Sequence, residues 1–68
     1  MNLSFVVSSN VSAIGYQDGI LEVHFKNGSV YQYLNTSQRL FNEFLIAPSK
    51  GHFVHQRLKD KYPTRRIQ

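Results

Sequence analysis

Apolar and polar residues alternate along the first half of this chain and recur at helical spacing along the second. Val11 to Gln17, Ile20 to Lys26 and Ser29 to Leu34 carry the period of two that half-buried strands require. Asp18-Gly19 and Asn27-Gly28 separate them, and both dipeptides favour tight hairpin turns. The pattern predicts an antiparallel meander of three strands. Leu3 to Val7, Leu-Ser-Phe-Val-Val, reads as a fourth strand or as an extended cover.

From residue 37 onward the period changes. Leu40, Phe41, Phe44 and Leu45 lie on one stripe of a helix over residues 37–46. Asn35 is placed to cap it, with Gln38 reaching back. Ala47-Pro48 ends it, because a residue before proline avoids helical geometry. Ser49-Lys50-Gly51 reads as a turn into a second helix over about residues 51–61, with Val54, Leu58 and Tyr62 on its buried stripe. Tyr62-Pro63 stops that helix, and Thr64 to Gln68 is expected to be a poorly ordered tail. The expected fold is therefore α+β: a three-stranded, or four-stranded, antiparallel meander followed by two C-terminal α-helices packed on one face. Residues 1–63 form a single domain and residues 64–68 a short basic tail.

The two hairpins decide which way the tyrosines face, since a one-residue slip reverses every side chain. A two-residue Asp18-Gly19 turn pairs Tyr16 with Leu21 and Ile14 with Val23. If Asn27-Gly28 is also a two-residue turn, Tyr31 and Tyr33 join Glu22 and His24 on the polar face. If it is a three-residue loop with Gly28 left-handed, both tyrosines extend the face of Ile14, Tyr16, Leu21, Val23 and Phe25. The second arrangement segregates apolar from polar positions better and is the one expected. The remaining expected core is Phe41, Phe44, Leu45, Val54 and Leu58.

Composition bounds these readings. A chain of 68 residues allows one small domain, which buries only about 60% of its unfolded surface. With no cysteine it has neither disulfides nor thiolate zinc sites, so its nine aromatic rings must supply much of the core. The opening Met-Asn-Leu-Ser-Phe-Val-Val lacks the basic flank and apolar run of a signal peptide or membrane helix. A cytoplasmic protein without membrane attachment is expected.

Charge is distributed unevenly. Residues 1–47 carry a net −1, and residues 48–68 a net +5 from Lys50, Arg57, Lys59, Lys61, Arg65 and Arg66 against Asp60. Such a basic segment suits RNA or another polyanion, and it equally suits a solvated helix face. Ser49-Lys50-Gly51 offers free backbone N–H groups and a lysine, the elements of an anion site, or alternatively a serine-capped helix start. It lacks the glycine pattern of a P-loop. Arg57 and Lys61, four apart, share a stripe beside Phe53. Ser49, Lys50, Gly51, Arg57, Lys59, Lys61, Arg65 and Arg66 are the candidate anion-binding residues, with Lys50 and Arg57 as anchors. His52 and His55 sit three apart, but no third metal ligand accompanies them. Next to Arg57 they supply the acid and base that a metal-independent ribonuclease would need. No catalytic constellation is assigned, and no cofactor or metal is expected.

Together these residues resemble the KTSC domain, a small module named for its place at the C-terminus of some lysyl-tRNA synthetases. The resemblance is carried by Val7-Ser8-Ser9, Ile14-Gly15-Tyr16, Leu21-x-Val23-x-Phe25, Gly28 and Tyr31-x-Tyr33. It continues through Ala47-x-Ser49-Lys50-Gly51, Phe53 and Tyr62, nearly the whole chain. His55 stands where the family commonly has asparagine, and Thr36-Ser37 where it commonly has Val-Pro. The resemblance implies a free-standing bacterial or phage protein without established activity, for which RNA binding has been suggested by association with the synthetase. The leading expectation is a non-enzymatic RNA- or polyanion-binding module. Its rivals are a protein-interaction module, marked by an exposed apolar patch near Leu3, Phe5 or Val6, and a small ribonuclease. The oligomeric state is not legible.

Overall fold

The computed structural model describes residues 1–68. Five strands, β1 (Leu3–Phe5), β2 (Val11–Gln17), β3 (Ile20–Phe25), β4 (Val30–Tyr33) and β5 (Thr64–Arg66), form one antiparallel sheet in the order of the chain. Two helical segments cover one face: α1 (Gln38–Ile46), and α2 (Lys50–Phe53), which continues into a π-helical turn over Val54–Leu58. The fold is α+β, with more strands than the sequence pattern predicts.

Both hairpins form as expected. Asp18 and Gly19 take positive φ of 50° and 82°, the mirror-image turn whose twist matches that of the strands. Tyr16 pairs with Leu21 and Ile14 with Val23. The second hairpin closes with a three-residue Lys26-Asn27-Gly28 loop, in which Phe25 N–H donates to Ser29 O and Gly28 has φ 94°. Asn27 Oδ1 accepts from both the backbone N–H and the hydroxyl of Ser29, at 2.9 and 2.7 Å. Leu21 then faces Tyr33 and Val23 faces Tyr31, so both tyrosines lie on the apolar face.

A bulge near the start of β2 recruits a core residue that simple alternation hides. Val11 pairs with Phe25 and Ala13 with His24, leaving Ser12 as the extra residue, its hydroxyl donating to His24 O at 3.1 Å. Val11 and Ile14, three apart, are thereby both fully buried. They pack with Leu21, Val23 and Tyr33 against Leu40, Phe41 and Phe44 of α1 and Phe53 and Leu58 behind it. The Phe44 and Phe53 rings stack at 4.7 Å, joining the two helical segments. Tyr16, Phe25, Tyr31 and Val54 pack at the margin of this core.

Four expectations are corrected. Ser37, not Asn35, caps α1, accepting from Leu40 N–H at 3.1 Å; Asn35 instead takes φ 61° in the preceding turn. Leu45 is partly exposed at 37%, because the buried stripe of α1 runs through Leu40, Phe41 and Phe44. The second helix ends at Leu58, not at residue 61, with the Lys59 N–H donating back to Val54 O across a π-width turn. Thr64 to Arg66 is a strand and not a loose tail. The outer edge of β4 would otherwise present unpaired backbone groups. Leu34 N–H donates to Pro63 O, and Val30 exchanges hydrogen bonds with Ile67 and Gln68. Leu3–Phe5 proves to be a fourth strand, paired with Ala13 to Gly15.

Candidate functional site

Each residue of the Ser49-Lys50-Gly51 turn has a structural partner. Ser49 caps α2, its hydroxyl accepting from His52 N–H at 3.2 Å. Lys50 is buried at 8% exposure, and its ammonium donates to the carbonyl of Ala47 at the end of α1. A cation there complements the negative end of the helix and satisfies one of its orphan carbonyls. Gly51 lies against Asn10: a Cβ at Gly51 would stand 2.7 Å from Asn10 Oδ1. Lys50 therefore presents no charge to an external phosphate at this turn.

Arg57, the other expected anchor, donates to Glu43 Oε1 at 2.6 Å and lies over the Phe53 ring at 5.1 Å. Arg39 approaches the same carboxylate at 3.7 Å. Arg65 projects to the uncovered face of the sheet, where its Nε donates to Gln32 Oε1 at 2.8 Å. Arg66, on the other face of β5, stands 5.8 Å from the Tyr31 ring and donates to Gln68 O. Lys59, Lys61 and Arg66 form no salt bridge.

The principal concavity lies between the second hairpin and the end of the π turn. It is a groove of about 410 Å³ whose apolar lining is Phe25, Tyr31, Tyr33 and Val54. Asn27, Ser29, Lys59, Asp60 and Thr64 supply its polar margin. The Phe25 and Tyr31 rings meet edge to face at 5.7 Å. Asp60 takes φ 62°, a left-handed conformation uncommon for a residue with a side chain. The wide turn and this residue together carry Lys59 and Asp60 to the groove, and π turns and such backbone outliers gather at functional sites. Burial pushes the Tyr33 phenol above its ordinary pKa, and the neighbouring Tyr31 phenol adds to the shift.

The KTSC domain family model matches residues 7–62. The chain belongs to the KTSC domain family. It is 34% identical over 59 residues to a protein of Tsukamurella paurometabola, covering 84% of this chain and 88% of that relative. It also matches the crystal structure of a KTSC domain protein from Yersinia pestis at 37% identity and a TM-score of 0.87, over 98% of this chain and 97% of that one. Two groups of the residues that carried the family resemblance have distinct structural jobs in this KTSC domain. Gly28 and Tyr31-x-Tyr33 build the groove side of the second hairpin, while Ser49-Lys50-Gly51 joins α1, α2 and the Asn10 loop.

The uncovered face of this KTSC sheet holds a polar row. His24 Nε2 lies 2.6 Å from Glu22 Oε2, Gln32 Nε2 donates to Glu22 Oε1 at 2.8 Å, and Arg65 continues the row. An ionised carboxylate only accepts, so His24 donates through Nε2–H. Burial raises the Glu22 pKa, but the hydrogen bonds from His24 and Gln32 and the histidine charge outweigh it and hold the carboxyl below its ordinary value. Glu22 and His24 share a face because they are two apart on β3, a signal available in the sequence. Their bond to Gln32 needed the hairpin register. His52 and His55 are exposed on the helical segment, and no group of three or more His, Cys, Asp or Glu side chains is arranged to hold a metal. No helix is long and apolar enough to cross a membrane.

Proposed function

We propose that this KTSC domain is a non-enzymatic binding module for RNA or a similar polyanion, acting through the end of the π turn and the adjoining groove. The observation that carries this reading is the pairing of an aromatic-lined groove with lysines that have no internal partner. Lys59 lines the groove, Lys61 follows two residues on, and Arg66 flanks the Tyr31 ring. Lys50 is buried against the Ala47 carbonyl and Arg57 is paired with Glu43 at the surface, so the anchoring role passes to Lys59 and Lys61. An excess of +5 over residues 48–68 supplies the long-range attraction.

Retention of single-stranded RNA across a salt series tests this. Removing one phosphate-binding cation should reduce the slope of log affinity against log salt by about 0.7. The Lys59→Ala/Lys61→Ala double variant is expected to bind more weakly and with a shallower slope. No retention by the native protein at low salt would remove the reading.

A second reading has its own observation. Phe5 is 86% exposed, Val7 is fully exposed, and β1 is a sheet edge. An apolar strand edge of this kind suits a protein partner. A Phe5→Ser variant that loses a co-purifying protein but keeps RNA retention would favour it.

A further inference from the structure

Tyr33 brings to the groove a hydroxyl that nothing inside the protein engages. The residue is only 5% exposed, and its hydroxyl makes no hydrogen bond within the protein; no buried side-chain oxygen lacks a partner, so this hydroxyl is open to the groove. Tyr16 shows the contrast: its hydroxyl accepts from Gly19 N–H at 3.1 Å and donates to Thr36 O at 3.3 Å. Tyr33 lines the groove, so a ligand there meets a hydroxyl with its full hydrogen-bonding capacity.

The remaining lining narrows the occupant. Phe25 and Tyr31 present two rings at an interplanar angle of 88°, a wall and a platform for a flat group. Asp60 stands beside Lys59 in the lining and forms no salt bridge. A phosphate seated inside the groove would face that carboxylate. A neutral planar ring with an N–H edge would instead donate to Asp60 and meet the Tyr33 hydroxyl, while its phosphate stays at the rim with Lys59. The volume of about 410 Å³ lies within the range of small-molecule pockets, about 300–1,000 Å³.

We infer that the groove is a pocket for one unpaired nucleobase, stacked on Tyr31 and hydrogen-bonded by the Tyr33 hydroxyl. This rests on the polyanion reading and makes it specific to single strands, since a paired base offers neither its face nor its Watson–Crick edge. Stacking on an aromatic ring tolerates any base, so sequence preference is weak.

The test compares three polyanions: oligouridylate, a fully paired RNA duplex and polyphosphate. The chain has no tryptophan, and two of its four tyrosines line the groove, so tyrosine emission read against a Tyr16→Phe/Tyr62→Phe background reports the groove, with filter retention as a second measure. Oligouridylate is expected to quench emission and bind more tightly than the other two. Tyr33→Phe keeps the ring and the core, and should weaken oligouridylate binding about fivefold. Tyr31→Ala should weaken it about tenfold or more. Neither variant should alter retention of polyphosphate. Equal binding of all three polyanions, with Tyr33→Phe indistinguishable from native, overturns the base pocket and leaves the polyanion reading standing. Absence of binding to any of them at low salt overturns both.

Discussion

Lys50 donates its ammonium to the carbonyl of Ala47, three residues before it and at the end of α1. This hydrogen bond makes the lysine of the Ser-Lys-Gly turn a clamp between two helical segments. Lys50→Met keeps most of the buried stem but leaves the Ala47 carbonyl without its donor. The destabilisation should be about 1–3 kcal/mol, read as a lower urea midpoint. RNA retention per folded molecule should not change. A variant of native stability that binds RNA poorly would put Lys50 at the ligand instead.

Glu22 makes stability depend on pH with a definite sign. Burial raises its pKa, but the hydrogen bonds from His24 and Gln32 outweigh that and hold it below the ordinary value, so the folded state favours the ionised form. That contribution is fully present above the unfolded value, near 4.5, and is lost as pH falls through the lower folded value. Urea midpoints of native protein and Glu22→Gln should therefore differ most above that range and converge in acid. A gap that stays constant from neutral pH into acid would show that the row contributes nothing through ionisation.

Gly28 tests the hairpin register directly. A side chain placed there meets nothing within 4 Å, so any penalty comes from the backbone at φ 94°. Gly28→Ala should cost about 1–2 kcal/mol, and Gly28→Asn less, because asparagine tolerates left-handed geometry better. Thermal midpoints of the three proteins would rank them. Equal midpoints would mean the loop relaxes to another turn.

The same hairpin shows how far the fold is legible in the chain. Asn27-Gly28 and the period of two on either side specify the register, because only the three-residue loop puts Tyr31 and Tyr33 with Leu21 and Val23. Other features leave no such mark. Thr64-Arg65-Arg66 has no strand pattern, and pairs because β4 needs a partner that only the closed fold reveals. The bulge at Ser12 breaks alternation and conceals Val11. A serine-capped turn looks the same whether its lysine points to solvent or to the preceding helix, so the inward course of Lys50 could not be read. The groove was half visible: its rings lie in the hairpin motif. Lys59 and Asp60 reach it through a π turn that a helical repeat does not encode.

Glu43 offers a gain-of-function test of the basic surface. Its carboxylate holds Arg57 at 2.6 Å and approaches Arg39 at 3.7 Å, so it cancels charge on the helical side of the domain. Both pairs are substantially exposed, and such pairs contribute little to stability, about 0–1 kcal/mol. Glu43→Gln should therefore leave the thermal midpoint nearly unchanged while releasing Arg57. If polyanions track along the helical segment from the groove, affinity at low salt should rise several-fold, and the slope of log affinity against log salt should steepen by about 0.7. If they remain confined to the groove and Lys59, the gain should be small and the slope unaltered. Asp18→Asn, which raises the net charge equally at an exposed turn away from Arg57, separates a direct contact from the general rise in net charge. The gain is confined to Glu43→Gln in the first case and is matched by Asp18→Asn in the second.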